Sequence, residues 1–187
     1  MLETRGARRA LIIAAVALTI ARAASAQGRS SNDAHPVEIS GGYSFLRDLK
    51  TDLDLPQGWT AGAAWRVSPV WLFAQYDEHR HDIPFVVGSA DLRVRGLMAG
   101  GRMSAGLGPF REFLQVGVGS VSARGEIFGI ASTASGFGVE ISVGLDYPLS
   151  SRAAARLLFA DRVIRNDGAW SETHLRLAAA LVWFIRK

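Results

Sequence analysis

The chain has 187 residues, 49% of them hydrophobic, with 21 Lys and Arg against 17 Asp and Glu and no cysteine. That length allows one domain, the apolar content excludes global disorder, and the missing cysteines exclude a disulfide framework or a thiolate metal site. The formal charge of +4 at first suggests an anionic partner, but its location removes that reading.

Arg5, Arg8 and Arg9 precede an uncharged run from Ala10 to Ala21, and Ala24-Ser25-Ala26 follows Arg22. A basic stretch, a short apolar run and a small-x-small site spell a secretory signal peptide over residues 1–26, cut before Gln27. Twelve helical residues reach about 18 Å, too short for a hydrocarbon core of about 30 Å. Removing this segment takes away four arginines and one glutamate, leaving 17 basic and 16 acidic residues. The mature chain is near neutral, so nucleic acid is not an expected partner.

Residues 27–36 are polar and read as a lead-in. From residue 37 to residue 187 the pattern alternates with period two, the mark of half-buried strands. Val37, Ile39, Tyr43 and Phe45 share one face, with Glu38, Ser40, Gly42 and Ser44 on the other. Trp59, Ala61, Ala63, Trp65 and Val67 oppose Gly58, Thr60, Gly62, Ala64 and Arg66. Leu72, Ala74 and Tyr76 oppose Phe73, Gln75 and Asp77, and Leu97 to Met103 alternate with Met98 to Ser104. Leu114, Val116 and Val118 oppose Gln115, Gly117 and Gly119. The clearest run is Phe137 to Tyr147, whose intervening residues are Gly138, Glu140, Ser142, Gly144 and Asp146. In Ala153 to Val163, Arg156 and Asp161 differ in parity, which leaves that strand open between a bulge and a mixed face. Leu175 to Ile185 closes the series. Eight strands of about ten residues are therefore predicted. Tight links occur at Ser68-Pro69, Ala105 to Pro109 and Pro148 to Arg152, and longer loops at 47–56, 79–91, 124–135 and 164–171. Short turns on one rim and long loops on the other describe an up-and-down transmembrane β-barrel.

The large apolar face should meet lipid, because a narrow lumen accepts glycines and paired charges more readily than a full set of Trp, Phe, Ile and Leu. Two aromatic girdles are predicted: Trp65, Trp71, Phe110, Tyr147 and Trp183 near the short turns, and Phe45, Trp59, Tyr76 and Phe137 towards the long loops. Glu38, Arg66, Arg102, Gln115, Glu140 and Arg176 should face inward as a structural polar network, with Arg156 an uncertain seventh. Gly58, Gly62, Gly100, Gly117, Gly119, Gly138 and Gly144 would leave room for those long charged side chains.

The opening strand VEISGGYSFL, the pair LMAGGRMS and PFREFLQVGVG, and GFGVEISVGLDYPLSSRAAARLLFAD resemble the small eight-stranded outer-membrane β-barrel family, the OmpA/OmpX-like barrel domain. The resemblance spans the mature chain. It implies a cell outer-membrane location, outer-membrane lipid as surroundings, a monomer, and a structural or surface-interaction role, with an extracellular ligand meeting the long loops. One departure is the ending Trp183-Phe184-Ile185-Arg186-Lys187, where two basic residues follow the aromatic signal such barrels commonly end on.

Catalytic signals are weak. Asp77, His79 and His81 share a parity, but HxH alone is a poor metal signature, and Asp77 to Asp82 reads as a solvated, charged loop base. Ser171 and His174, with Glu172 between them, are the nearest approach to the Ser-His pair of a lipid-modifying barrel enzyme. The family's His-x-Ser motif is missing there, so no catalytic residue, metal or cofactor is expected. The competing readings are that lipid-modifying enzyme and a soluble periplasmic, lipocalin-like binding barrel. The loops also carry Lys50, Asp52, Asp54, Phe85, Val86, Val87, Ile127, Phe128, Ile130 and Trp170, suited either to adhesion or to covering the barrel mouth.

Overall fold

The structure, a computed structural model, describes residues 37–185 apart from 68, 86–87, 108, 128–129 and 167–168. The predicted signal peptide and lead-in, Val86, Val87, Phe128 and the Arg186-Lys187 terminus lie outside the described residues. The strands are β1 Val37–Asp48, β2 Leu53–Leu55, β3 Gln57–Val67, β4 Val70–Phe85, β5 Gly88–Leu107, β6 Phe110–Ile127, β7 Ile130–Pro148, β8 Ala153–Asn166 and β9 Ala169–Ile185.

β1 pairs antiparallel with both β2 and β3, each strand from β3 to β8 pairs antiparallel with the next, and β1 pairs with β9 from Val37↔Ile185 to Asp48↔His174, which closes the sheet. Among the described residues closure pairs the sheet edge to edge, which satisfies backbone N–H and C=O groups where lipid offers them no partner. β2 and β3 are one strand interrupted at Pro56. Leu46 opposite Leu55 and Tyr43 opposite Trp59 differ in register by one residue across that break, as expected where proline withholds its N–H. The barrel therefore has eight staves. Asp52, at φ 55°, turns β1 into β2, a conformation Asp tolerates. The Asp48 carboxylate accepts from Lys50 N at 2.8 Å and Thr51 Oγ1 at 2.6 Å to hold that turn.

The outward face carries Ile39, Trp59, Trp65, Leu97, Phe137, Leu157, Leu177 and Trp183, all substantially exposed. Phe137 and Tyr147 are ten residues apart on β7. At about 3.3 Å per residue and a tilt near 40°, that spacing gives about 25 Å, the height of a lipid-facing apolar band. Trp59 packs on Tyr76 at 5.1 Å and Phe137 on Trp170 at 6.4 Å at the upper edge, and Phe110 packs on Tyr147 at 5.6 Å at the lower.

Four expectations are corrected. Trp71 is not in a girdle. It is only 3% exposed, shares its parity with Phe73 and Asp77, and packs with Ala64, Phe73 and Met98 inside the barrel. The predicted loops 79–91, 124–135 and 164–171 are mostly strand, since β4 to β7 run on to Phe85, Gly88, Ile127 and Ile130, and the β8–β9 hairpin reaches Asn166 and Ala169. Asp77 to Asp82 is not a loop base but part of β4, with Asp77 and His79 fully buried. The lumen is also richer in apolar side chains than charge arguments imply, because Phe113, Leu158, Val182 and Phe184 all point inward. The facing of β8 is settled as regular: Arg156 and Arg162 are buried, Asp161 lies on the other parity, and the register slips only at Ile164/Arg165.

Candidate functional site: the ion-paired lumen

The inward face is built in layers. Nearest the short-turn rim, Glu38 of β1 accepts from Arg102 of β5, from Arg156 of β8 at 3.0 Å and from Arg111 of β6 at 3.2 Å. Asp146 of β7 accepts from Arg156 Nε at 2.7 Å and Arg111 Nε at 3.1 Å. These groups come from five staves, so the cluster ties opposite walls together. Aromatic rings complete it. Arg102 lies 4.8 Å and Arg156 4.6 Å from the Phe113 centroid, and Arg111 lies 5.0 Å from that of Phe184. Such stacking stabilises guanidinium groups where water is scarce.

Gln115 and Ser142 link this layer to the next. Arg102 Nε donates to Gln115 Oε1 at 3.1 Å, and Ser142 Oγ donates to Glu140 Oε1 at 3.0 Å. In the upper layer Arg162 donates to Asp77 Oδ1 at 2.6 Å and to Glu140 Oε2 at 2.7 Å, while Arg176 reaches Glu140 Oε1 at 2.9 Å. His79 Nε2 sits 2.9 Å from Ser44 Oγ. Above it Leu46, Leu55, Val94, Val121 and Ile164 form an apolar plug across the mouth.

Of the residues expected inward, Glu38, Arg102, Gln115, Glu140 and Arg176 are buried in these layers together with Arg156. Arg66 is half-buried at the short-turn end of β3, opposite Trp71. Sequence reasoning did not single out Asp77, Arg111, Asp146, His79 or Arg162 as members. The glycines serve rings as much as charges. A Cβ on Gly144 would lie 2.1 Å from Phe113, and one on Gly117 2.9 Å from Phe73, whereas Gly96, which the sequence did not single out, makes room for Arg162.

The arrangement offers little to bind or transform. Asp77 is held by Arg162 and His79 by Ser44, and among the described residues no three His, Asp or Glu gather as a metal would require. His174 is buried in the lumen, so it presents no imidazole to lipid, and the Ser171 side chain lies outside the described residues. A lipocalin turns its apolar face inward around a ligand cavity; here that sidedness is inverted, with apolar side chains outside and ion pairs within.

A closed antiparallel barrel, apolar outside and ion-paired within, defines an integral outer-membrane protein. The outer membrane protein beta-barrel domain family matches residues 11–174, and the chain belongs to that family. No curated protein matches in sequence. Among solved structures it is similar to Neisserial surface protein A, with a TM-score of 0.66, 11% identity, and coverage of 82% of this chain and 98% of that one. It is also similar to Ail, the attachment invasion locus protein of Yersinia pestis, in complex with the heparin analogue sucrose octasulfate, with a TM-score of 0.61, 14% identity, and coverage of 81% and 99%. The N-terminal β-barrel domain of Pseudomonas aeruginosa OprF follows at a TM-score of 0.53, 16% identity, and coverage of 79% and 97%. At these identities the likeness concerns the fold.

Proposed function

We propose that the protein is a closed, non-catalytic barrel with a structural and surface-interaction role, its outer strand extensions being the part that meets partners. The observation that carries this reading is the contrast along the axis. The lumen is filled by ion pairs, rings and an apolar plug, while β4 to β7 continue several residues beyond the Tyr76–Phe137 level. Eight staves leave an interior just filled by side chains, so the rigid lumen serves as a post and the extension as a display. The solved barrel of Ail, the attachment invasion locus protein, supports an adhesive version of the same role.

The test displays the full chain on cells and compares it with a variant in which residues 81–92 and 123–134 are replaced by two-residue turns. Both should migrate as heat-modifiable barrels, and only the full chain should raise adhesion to a heparin-coated surface. Equal adhesion would remove the role assigned to the extensions. A stable nanosiemens conductance from the purified full chain in a planar bilayer would overturn the closed-post reading.

A further inference from the structure

On the outward face, just above the upper aromatic edge, β4 carries a carboxylate that barrel closure does not require. Glu78 points away from the lumen, between the inward Asp77 and His79, yet its side chain is only 7% exposed. Tyr76 Oη donates to it at 2.9 Å, Arg80 Nε and Nη2 at 2.9 and 2.6 Å, and Arg95 Nε at 3.1 Å, with Arg93 Nε 3.8 Å away. The cations stay open to the outside: the Arg80 and Arg95 side chains are 51% and 47% exposed. One covered anion thus fixes two exposed guanidinium groups.

The register adds a second observation. Arg80 lies opposite Arg93, and Arg93 opposite Arg124, so three arginines stand in one row across β4, β5 and β6. Like charges placed directly opposite are destabilising. Asp91, 3.7 Å from Arg93, and Glu126, 3.4 Å from Arg124, offset the far end of the row. Asp82 and Asp91 also act on Arg80 from a distance. At the near end Arg80 and Arg95 share the single covered carboxylate of Glu78, although over the whole patch four arginines face four carboxylates. Beside it opens a groove of about 730 Å³ lined by Tyr43, Pro56, Gln57, Trp59, Glu78 and Arg80. Trp59 and Tyr43 are about half exposed there.

We propose that this corner seats the phosphorylated sugar headgroup of a glycolipid in the outer leaflet, its phosphate on Arg80 and Arg95 and a sugar ring against Trp59. Arginine suits phosphate because its planar fork gives paired, charge-assisted hydrogen bonds. Arg80 spends Nε and Nη2 on Glu78 and keeps Nη1 clear of it, while Arg95 gives Glu78 only its Nε and keeps both Nη groups clear of it. The level of the site decides between a membrane and a soluble source. Arg80 is four residues beyond Tyr76, about 13 Å along the strand, which is headgroup height when the aromatics mark the interface. Below the groove the lipid face is shallow, with Ala63, Ala74 and Ala99 in one register row where acyl chains can lie against the sheet.

The proposal rests on membrane insertion and not on the adhesive role. The full chain is folded into phosphatidylcholine nanodiscs doped with bisphosphorylated lipid A, and lipid retained on ejection is read by native mass spectrometry. One lipid A should remain bound; the same lipid without phosphates should not. The R80Q/R95Q variant should retain it at least about tenfold less, the scale expected for losing charge-assisted contacts. Arg95→Gln alone serves if the pair fails the heat-modifiable folding check. Glu78→Gln separates a built site from diffuse charge, since retention should fall although the variant is more positive. Tighter binding by E78Q, unchanged retention by the arginine variants, or retention of the dephosphorylated lipid would overturn the proposal. Displacement by millimolar inorganic phosphate would do the same, because it would mark a soluble-anion site. Brominated-lipid quenching of Trp65 checks insertion independently.

Discussion

Arg162 offers the sharpest test of how the lumen is held. It is fully buried on β8, and its guanidinium spans Asp77 on β4 and Glu140 on β7 through bonds of 2.6 to 3.1 Å. In Arg162→Met the apolar stem is kept and the charge removed. Glu140 retains Arg176 at 2.9 Å, but Asp77 is left with His79 Nδ1 at 3.5 Å. Breaking a buried pair by removing one partner costs about 3–5 kcal/mol, and the surviving Arg176 contact places the expected loss near the lower end of that range. D77N/R162M removes the orphaned charge as well, so it should recover about half of the loss, leaving a neutral amide to satisfy at about 1–3 kcal/mol. The assay is urea unfolding of the refolded chain in detergent micelles, followed by tryptophan fluorescence. Arg124→Gln is the control, since Arg124 is 57% exposed in its pair with Glu126 and such pairs contribute at most about 1 kcal/mol. If R162M loses less than about 1 kcal/mol, or if the double variant is less stable than R162M, the cross-barrel ion pair is not what holds these walls.

The remaining expectations test sidedness, packing and charge. A chain keeping Trp71 as its sole tryptophan should resist quenching by brominated acyl chains, whereas a Trp65-only chain should be strongly quenched; equal quenching would return Trp71 to the lipid face. Gly144→Val should cost about 1–3 kcal/mol by overpacking, because its Cβ would meet Phe113 at 2.1 Å, while Gly125→Ala, with nothing within 4 Å, should not. Comparable losses at both positions in the same urea titration would show that the Phe113–Gly144 contact is not close-packed. Burial pushes the Glu78 carboxyl up, but hydrogen bonds from Arg80 and Tyr76 and the nearby Arg95 charge outweigh it and hold the group below its ordinary value. Its contribution is then full above the unfolded value of about 4.3 and is lost as pH falls through the lower folded value. The Glu78 anchor should therefore be intact from pH 7 to 5, so any decline in lipid retention there should track the second ionisation of the lipid phosphates, at about 6; a decline centred elsewhere in that window would place a different group in control.

The alternation from Val37 to Ile185 was enough to count the staves, because period two survives wherever one face meets lipid and the other a crowded lumen. It was not enough to say which inward groups touch. Asp77 and Arg162 are 85 positions apart, and no local pattern links them; their meeting follows from closure, which brings β4 opposite β8. Nearness to a turn suggests lipid for Trp71, but its parity with Phe73 and Asp77 points it inward, where the structure has it. A better signal lay in the neighbouring strands, where the register sets inward Phe113 opposite Gly144 and inward Phe73 opposite Gly100. An aromatic residue facing glycine across the ladder has room to lie flat inside a barrel, although Trp71, inward between Arg66 and Arg102, shows that a facing glycine is not required. The loop boundaries failed for a related reason. Over residues 120–136 the composition turns to Ser, Thr, Gly and Arg, which reads as loop, yet the ladder continues unbroken from Ser120↔Phe137 to Ile127↔Ile130. The change in composition marks the place where the sheet leaves lipid, not where the sheet ends. The arginines that flank that boundary are where the solvent changes around a continuous wall, and it is at such a boundary that a headgroup, neither hydrocarbon nor free solute, would be held.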